Sequence, residues 1–349
     1  MSFFLVPVSW FLSMYILGIE TSCDETSVSV LRGRDEILSN VISSSLFRHQ
    51  EFGGVVPEIA SRHCLEQIDF VFKQALKEAG VSAQELNLIA VTEGPGLIGS
   101  LFVGVGFAKA LAYQLGIPVV GVNHLEAHLS ANFVGQAVPE NYIGLLVSGG
   151  HTSIVHCQDA HFETVGETED DAVGEAYDKV AKMMGLDYPG GPLMDALAAK
   201  GNPRAILFKK PKQAKPLDFS FSGIKTAALY AMRDMKTGLP KADAPSREDL
   251  AASFQQAVIG WIVEKTFAAC DLKGAKSVVV GGGVSANSYL RVELAREAAE
   301  RGIQLFLPPL GLTGDNAAMI ARRGLELFEK GRISDLRLTA RPNLRIASA

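Results

Sequence analysis

The stretch YILGIETSCDETSVSVLRG, residues 15–33, decides the fold. Two apolar runs flank the polar segment ETSCDET, which is typical of two strands joined by a tight turn. The next stretch, DEILSNVISSS (35–45), predicts a third strand. A helical pattern over 58–80, a strand at LNLIAVTEG, a small-residue helix over 100–115 and a strand at PVVGVNH follow, so the chain opens with β-β-β-α-β-α order.

A second copy of this order begins at YIGLLVSGGHTSIVHC, residues 142–157. HFETVGET supplies its third strand, and SVVVGGG, a helix over 288–301, QLFLPP and a helix over 316–330 complete it. The repeat predicts an α/β fold of two similar domains that flank a cleft. Alternating strands and helices also occur in unduplicated α/β proteins, but the polar hairpin that opens both halves favours a duplication.

Composition limits the possible classes of protein. The chain has 349 residues, of which 48% are hydrophobic and 20% charged, as in a globular protein. A net charge of −5 is unusual for a protein that binds nucleic acid alone, so an RNA partner would meet a local basic patch or helper proteins. The four cysteines form no CxxC pair, which argues against a zinc ribbon or a disulfide framework and favours a reducing cytosol.

The first thirteen residues are mostly apolar, contain Pro7 and have no lysine or arginine before Arg32. A signal peptide needs a positive start and a small-residue cleavage site, and neither is clear here. Residues 1–13 are therefore interpreted as a disordered or spurious extension, with Met14 as a plausible start. A membrane or targeting role is the alternative.

The segment 167–245 interrupts the second copy and is rich in Pro, Gly and Lys. It is interpreted as an insertion of helices and loops that shapes a substrate surface. Its densest run of positive charge consists of Lys209, Lys210, Lys212 and Lys215. This run either lies in a solvated loop or contacts phosphates.

Two glycine-rich turns, GPGLIG (94–99) and GGGVSA (281–286), fit G-x-G-x-x-G/A. Neither is followed about 20 residues later by an acidic residue at a strand end, which argues against a dinucleotide site, and the chain has no P-loop motif. VSGGHT (147–152) and GGGVSAN (281–287) could instead cradle an anion with backbone N–H groups, or they are only tight turns.

Acidic and histidine side chains mark a candidate catalytic site. Asp24 and Glu25 lie in the first polar hairpin and are either solvated or directed to the cleft, where one could act as a base. In HLEAH, His124 and His128 share one helix face, whereas Glu126 points away, unlike the glutamate of an HExxH protease.

A metal bound by this histidine pair needs a third ligand, which Asp315 in TGDNAAM could provide. Two nitrogens and one oxygen suit Fe(II) or Zn(II). A pair of surface or capping histidines is the alternative.

Seven motifs in order closely resemble one family, that of the tRNA N6-adenosine threonylcarbamoyltransferases (TsaD). They are GIETSCDET, HLEAH, LVSGGHT, GEAYDKVAKMMGLDYPGGP, FSFSGIKTA, GGGVSAN and LTGDNAAMIA. The resemblance covers residues 14 to about 331. It implies the duplicated actin-like fold shared with Hsp70 and sugar kinases. It also implies transfer of a threonylcarbamoyl group from threonylcarbamoyl-AMP to N6 of adenosine 37, in tRNAs that read codons starting with A.

The resemblance also implies a role for individual residues. Asp24 and Glu25 match the acidic pair that assists the chemistry. The metal ligands would be His124, His128 and Asp315, with Fe(II) as the expected ion and Zn(II) as the alternative. The positions that match the donor site are Val147, Ser148, Gly149, Gly150, His151, Asp178, Gly191, Asp195 and Asn287.

The resemblance implies two domains, an N-terminal one of residues 14–130 with 318–349 and a C-terminal one of residues 131–317.

Besides tRNA and the donor, the expected partners are a TsaB-like and a TsaE-like protein. No membrane association is expected, and the expected location is the cytoplasm. The four lysines and a basic C-terminal stretch are expected to contact tRNA, the latter through Arg322, Arg323, Arg332, Arg337, Arg341 and Arg345. The alternative functions are a metal-dependent glycoprotein endopeptidase and a chaperone-like ATPase.

Overall fold

The computed structural model describes residues 8–233, 237, 239, 241–242 and 244–346, with side chains from residue 11 onward. These residues form two compact units. Unit 1 contains residues 8–138 and 314–346, and unit 2 contains residues 139–313. Each unit has its own sheet and its own apolar core.

Unit 1 is built on a five-stranded sheet with the order β3-β2-β1-β4-β5. Strands β1, β2 and β3 are antiparallel neighbours, whereas β4 and β5 extend the sheet in parallel from β1. The elements of unit 1 are α1 (Val8–Ser13), β1 (Tyr15–Glu20), β2 (Glu25–Arg32), β3 (Glu36–Ser44), α2 (Leu46–His49), α3 (Pro57–Ala79), β4 (Leu88–Gly94), α4 (Ile98–Leu115), β5 (Val119–Asn123), α5 (His124–Ser130) and α11 (Ala317–Glu329).

Unit 2 repeats this topology. Its sheet has the order β8-β7-β6-β9-β10, with β6, β7 and β8 antiparallel and β9 and β10 added in parallel from β6. The elements are β6 (Asn141–Val147), β7 (Thr152–Gln158), β8 (His161–Glu167), α6 (Val173–Met183), α7 (Gly190–Ala198), α8 (Ser222–Met232), α9 (Arg247–Lys273), β9 (Ser277–Gly281), α10 (Ser288–Arg301) and β10 (Gln304–Phe306). The predicted duplicated α/β fold is confirmed.

The unit boundaries at 138/139 and 313/314 differ from those expected at 130/131 and 317/318. Residues 131–133 form a 3₁₀ turn held in unit 1, because Arg322 Nε donates to the Phe133 carbonyl oxygen at 2.9 Å. The segment before α11 is held there as well, because the Ala317 amide donates to Ser27 Oγ at 2.9 Å. Asp315, expected in the second domain, therefore belongs to unit 1.

Residues 8–13, interpreted from the sequence as part of a disordered or spurious extension, form helix α1. The ring of Phe11 lies edge-on to that of Phe328, with 6.3 Å between the centroids. The backbone of Leu12 approaches Gly33, which has a φ of +60°. Residues 1–7 lie outside the described residues.

Helix α11 packs directly on the unit-1 sheet because small residues line the contact. A Cβ added to Gly18 of β1 would lie 2.1 Å from the Ala317 carbonyl oxygen, and one added to Gly324 would lie 2.2 Å from the Ala90 Cβ. Neither distance can accommodate a side chain. The glycines thus set how closely α11, and the Asp315 that precedes it, approach strands β1 and β4.

Within the described residues, α4 is the one helix long and apolar enough to cross a membrane by length and composition. One of its faces belongs to the unit-1 core, which accounts for part of this apolar character. The buried residues of that face are Leu101, Val105, Ala108 and Ala112.

We predict that Gly324→Ala destabilises unit 1 by about 1–3 kcal/mol, because overpacking outweighs the gain of about 0.5–1 kcal/mol from replacing a helical glycine. Gly106→Ala in α4 is the matched control, since a Cβ there meets nothing within 4 Å, and it should be neutral or stabilising. Urea unfolding of both variants measures the difference. Equal stabilities would show that α11 does not dock at Gly324 as described.

Candidate metal centre

The junction of β5 and α5 places the two histidines. Asn123 ends the strand and caps the helix, because its Oδ1 accepts the amides of Leu125 at 2.9 Å and Glu126 at 3.3 Å. The helix starts at His124, and the four-residue spacing brings His128 onto the same face. Both side chains are buried, and their rings meet edge to face with 4.6 Å between centroids.

Asp315, just before α11, completes the predicted group. Its Oδ1 lies 3.5 Å from His124 Nε2 and 3.2 Å from His128 Nε2. One ligand atom from each residue lies within 4.8 Å of the others. Among the described residues, this is the one group of three or more His, Cys, Asp or Glu side chains close enough to share a metal ion.

The residues fit a metal ion. His128 Nε2 is buried and close to Asp315 Oδ1, but no hydrogen bond of acceptable geometry satisfies it within the described part of the chain. Two imidazole nitrogens and one carboxylate oxygen that converge in this way match the ligands and open coordination of Fe(II) and Zn(II) sites.

Glu20 is a buried contact of this site for which the sequence predicted no role. Its Oε2 lies 3.0 Å from His124 Nδ1. Burial opposes protonation of His124, but the carboxylates of Glu20 and Asp315 outweigh it and raise the pKa of His124 to about 9. The signal in the sequence was a glutamate at the end of an otherwise apolar strand, YILGIE, where a carboxylate needs a buried partner.

Glu25 of the acidic hairpin lies close to Asp315 of the candidate metal group. Burial, and then repulsion from Asp315 and Asp24, raise the pKa of Glu25 to about 9. Ser44 Oγ donates to Glu25 Oε1 at 3.2 Å, and the Ser45 amide donates to the Asp24 carbonyl oxygen at 2.9 Å. A cation at the histidines would offset this repulsion and lower the pKa of Glu25.

Glu126 is directed away from the metal ligands, as the helical spacing predicted. Its Oε2 accepts Nε and Nη2 of Arg323 at 3.0 and 2.6 Å, while Nη1 of the same guanidinium donates to Glu326 at 2.7 Å. Arg322 pairs with Glu326 at 2.9 Å. The expectation that Arg322 and Arg323 contact tRNA is wrong, because both are buried in ion pairs, of which the pair of Arg323 with Glu126 ties α11 to α5.

The other predicted residues lie in unit 2. Val147 ends β6, and residues 148–151 form the turn to β7, in which the Ser148 amide donates to the His151 carbonyl oxygen at 2.9 Å and the His151 amide donates to Ser148 Oγ at 3.1 Å. Gly149 and Gly150 are exposed, and a Cβ on either would meet nothing within 4 Å. The tip of the turn is therefore open.

A hydrogen-bond network joins two of the remaining predicted residues. Asp195 accepts the Ser288 amide at 3.0 Å, and Asn287 Oδ1 caps α10 by accepting the Leu290 amide at 2.9 Å. The buried Gln255, for which the sequence predicted no role, connects them by donating to Asp195 at 3.1 Å and accepting from Asn287 at 2.8 Å.

Asp178 of α6 and Gly191 at the start of α7 lie outside this network. Asp178 Oδ1 accepts the Gly190 amide at 2.8 Å, and burial raises the pKa of this carboxyl. A Cβ on Gly191 would meet nothing within 4 Å, so steric crowding does not account for a glycine there.

Comparison with known proteins identifies the family. The family model described as TsaD, tRNA N6-adenosine threonylcarbamoyltransferase, matches residues 36–322. The chain belongs to this family. A TsaD relative from Thermosipho africanus is 49% identical over 95% of this chain and all of its own length. Another from Clostridium perfringens is 47% identical over 95% of this chain and 98% of its own. Both are named tRNA N6-adenosine threonylcarbamoyltransferase.

A solved structure supports the fold. The T. kodakarensis HypF structure superposes with a TM-score of 0.64 at 13% identity, covering 92% of this TsaD chain and 49% of HypF. The actin-like fold is thus confirmed. As a TsaD member, the protein is a transferase that places a threonylcarbamoyl group on N6 of adenosine in tRNA. The endopeptidase and ATPase alternatives are not favoured.

We predict that the TsaD chain binds metal more tightly as pH rises. His124 holds a proton below about pH 9 in the metal-free protein, and an imidazole must be neutral to ligate. The association constant should therefore increase by about tenfold per pH unit from about pH 6 to about pH 8, with release of at least one proton. Calorimetry with Zn(II) in buffers of different ionisation enthalpy counts these protons. An affinity independent of pH would contradict the raised pKa of His124.

Proposed function

We propose that His124, His128 and Asp315 hold one divalent metal ion that takes part in threonylcarbamoyl transfer. The observation that carries this proposal is the convergence of two buried imidazole Nε2 atoms on one carboxylate oxygen. Fe(II) is the proposed ion, with Zn(II) as the alternative, because both accept two nitrogen ligands and one oxygen ligand.

The proposed donor is threonylcarbamoyl-AMP, and the proposed acceptor is adenosine 37 of tRNAs that read codons starting with A. The adenine N6 attacks the carbonyl carbon of the threonylcarbamoyl group. The bond from that carbon to the phosphate oxygen breaks, and AMP leaves with the electron pair. When bound, the metal ion supplies Lewis-acid chemistry toward the donor's oxygen atoms.

In this proposal, a carboxylate of the acidic hairpin accepts the proton that adenine N6 releases. An exocyclic adenine amine is a weak nucleophile, so a base that removes its proton as the new bond forms lowers the barrier. Asp24 or Glu25 is that base. The proximity of Glu25 to Asp315, which contributes to the raised pKa of Glu25, and the place of Asp24 next to Glu25 in the hairpin support this role.

Residues of unit 2 are proposed to bind the donor. The turn of Ser148–His151 offers backbone N–H groups to the phosphate, and the open space around Gly149 and Gly150 supports a close approach of the ligand. Val147 precedes this turn in β6. Asp195 and Asn287, linked through Gln255, are proposed to contact the sugar or base, with Asp178 and Gly191 beside them on α6 and α7.

TsaB-like and TsaE-like proteins are proposed partners, and the cytoplasm is the proposed location. Helices α3 and α4 of unit 1 contact each other and carry several exposed apolar side chains, a feature typical of protein interaction surfaces. These side chains are Leu65, Phe70, Phe102 and Tyr113. A net charge of −5 also favours helper proteins in tRNA binding.

We predict that His124→Ala abolishes binding of one metal ion per chain and lowers the transfer rate by more than about 100-fold. Metal analysis and a transfer assay with tRNA and the partner proteins measure both effects. His161→Ala, which removes an exposed histidine of β8, is the control and should leave both unchanged. Full metal content in His124→Ala would disprove the proposed ligand set.

The lysine run is the proposed tRNA contact on unit 2. Lys209 and Lys212 are exposed, whereas Lys210 pairs with Glu264 at 2.7 Å. The buried Lys265 anchors the same loop by donating to the Pro216 carbonyl oxygen at 2.8 Å. The loop is thus fixed to α9 while its outer lysines face solvent.

We predict that Lys209→Glu combined with Lys212→Glu weakens tRNA binding and lowers its salt dependence by about two units of log–log slope, since each lost phosphate contact removes about one. Lys276→Glu combined with Lys330→Glu changes the same number of exposed charges elsewhere and is the control. Filter binding over a range of salt concentrations tests this. Equal slopes for the two double variants would exclude the lysine run from the tRNA surface.

A further inference from the structure

Glu20, the last residue of β1, is a fully buried carboxylate. An ionised carboxylate is costly to bury unless hydrogen bonds satisfy it. All of its contacts come from unit 1: the Ser22 amide donates to Oε1 at 2.5 Å, the Thr92 hydroxyl donates to Oε2 at 2.5 Å, and His124 Nδ1 lies 3.0 Å from Oε2. Both oxygens are therefore used.

The donors fix the direction of the bond to His124. A backbone amide can only donate, so Oε1 must accept from Ser22. Oε2 in turn accepts the Thr92 hydroxyl and faces His124 Nδ1. Because Oε2 accepts there, His124 Nδ1 is the donor and carries a hydrogen, and its Nε2 is left toward Asp315 Oδ1 at 3.5 Å.

The two histidines differ in the hydrogen-bond partners of their ring nitrogens. Neither ring nitrogen of His128 makes a hydrogen bond of acceptable geometry to a described residue. Nδ1 of His124, by contrast, has both Glu20 and, at 3.2 Å, Ser22 Oγ beside it. Glu20 and Thr92 belong to the adjacent parallel strands β1 and β4, so the sheet itself orients the His124 ring.

We propose that Glu20 is a positioning residue of the metal centre, which holds His124 as the tautomer with hydrogen on Nδ1 and Nε2 directed to the metal ion. Metal-ligating histidines commonly donate their other ring nitrogen to a carboxylate, and loss of that partner typically costs about 10–100-fold in metal affinity. The inference rests on the metal centre proposed above and adds the residue that orients its first ligand.

Glu20→Gln tests this role by reversing one bond. If the side-chain –NH2 of the Glu20→Gln variant took the place of Oε1, it would face the backbone N–H of Ser22, and two donors cannot form a hydrogen bond. The –NH2 is therefore expected in the place of Oε2, where the Thr92 hydroxyl can rotate to accept. His124 Nδ1 must then accept as well, which moves the imidazole hydrogen to Nε2, where the metal would bind.

The experiment measures the dissociation constant of Zn(II) by competition with a chelator, in the full-length chain and in three variants. Glu20→Gln should raise the constant by about 10–100-fold, and His124→Ala should abolish binding. Glu93→Gln is the matched control, because Glu93 follows Thr92 in β4 and lies near Arg341, and it should leave the constant unchanged. Wild-type affinity in Glu20→Gln would overturn the proposal.

A second measurement needs no substitution at Glu20 and so remains decisive if that variant does not fold. In the Zn(II)-loaded wild-type chain, ¹⁵N NMR of the histidine rings should show His124 ligating through Nε2 with hydrogen on Nδ1. Ligation through Nδ1 would overturn the role of Glu20. If wild type and His124→Ala bind Zn(II) equally, the metal centre itself fails, and Glu20 loses its proposed role with it.

Discussion

The close docking of α11 on the unit-1 sheet is the constraint on which the candidate site depends. Asp315 and the two histidines are about 190 residues apart in the chain, and no local element joins them. Gly18 and Gly324 allow the helix to approach the strands at a distance that no side chain would permit. The buried ion pair of Arg323 with Glu126 then ties the same helix to α5, so the carboxylate and the imidazoles are carried by elements locked to each other.

Electrostatics explain why this region favours a cation. Glu20 and Asp315 contact the two buried histidines, and Glu25 lies close enough to Asp315 for repulsion to contribute to its raised pKa. The protein without metal accommodates the negative charge by holding protons, as the raised pKa values of Glu25 and His124 indicate. A divalent ion would replace those protons with a fixed positive charge, leaving Glu25 ionised for the proton transfer of the proposed reaction.

Local patterns in the sequence predicted the elements of the fold well. The hairpins at residues 15–33 and 142–157 were recognisable because strand periodicity and turn composition are read within a few residues. The grouping of the candidate metal ligands was also predictable, since His124 and His128 lie one helical turn apart and Asp315 in TGDNAAM was the carboxylate expected to join them. These features need no knowledge of which distant segments meet.

Long-range pairings could not be predicted in the same way. Arg322 and Arg323 look like surface charges in a basic C-terminal stretch. Only the contacts of Arg322 with the Phe133 carbonyl oxygen and of Arg323 with Glu126 reveal that they are buried. Gln255 lies in the middle of a long helix, with no pattern to connect it to Asp195 and Asn287. Glu20 and its partner His124 are 104 residues apart, so spacing alone could not pair them.

Anomalous diffraction from crystals of the metal-loaded protein, collected on both sides of the iron and zinc absorption edges, tests the central claim most directly. A single anomalous peak bonded to His124 Nε2, His128 Nε2 and an Asp315 carboxylate oxygen is the predicted result. A metal peak on other side chains, with these three pointing apart, would contradict the account.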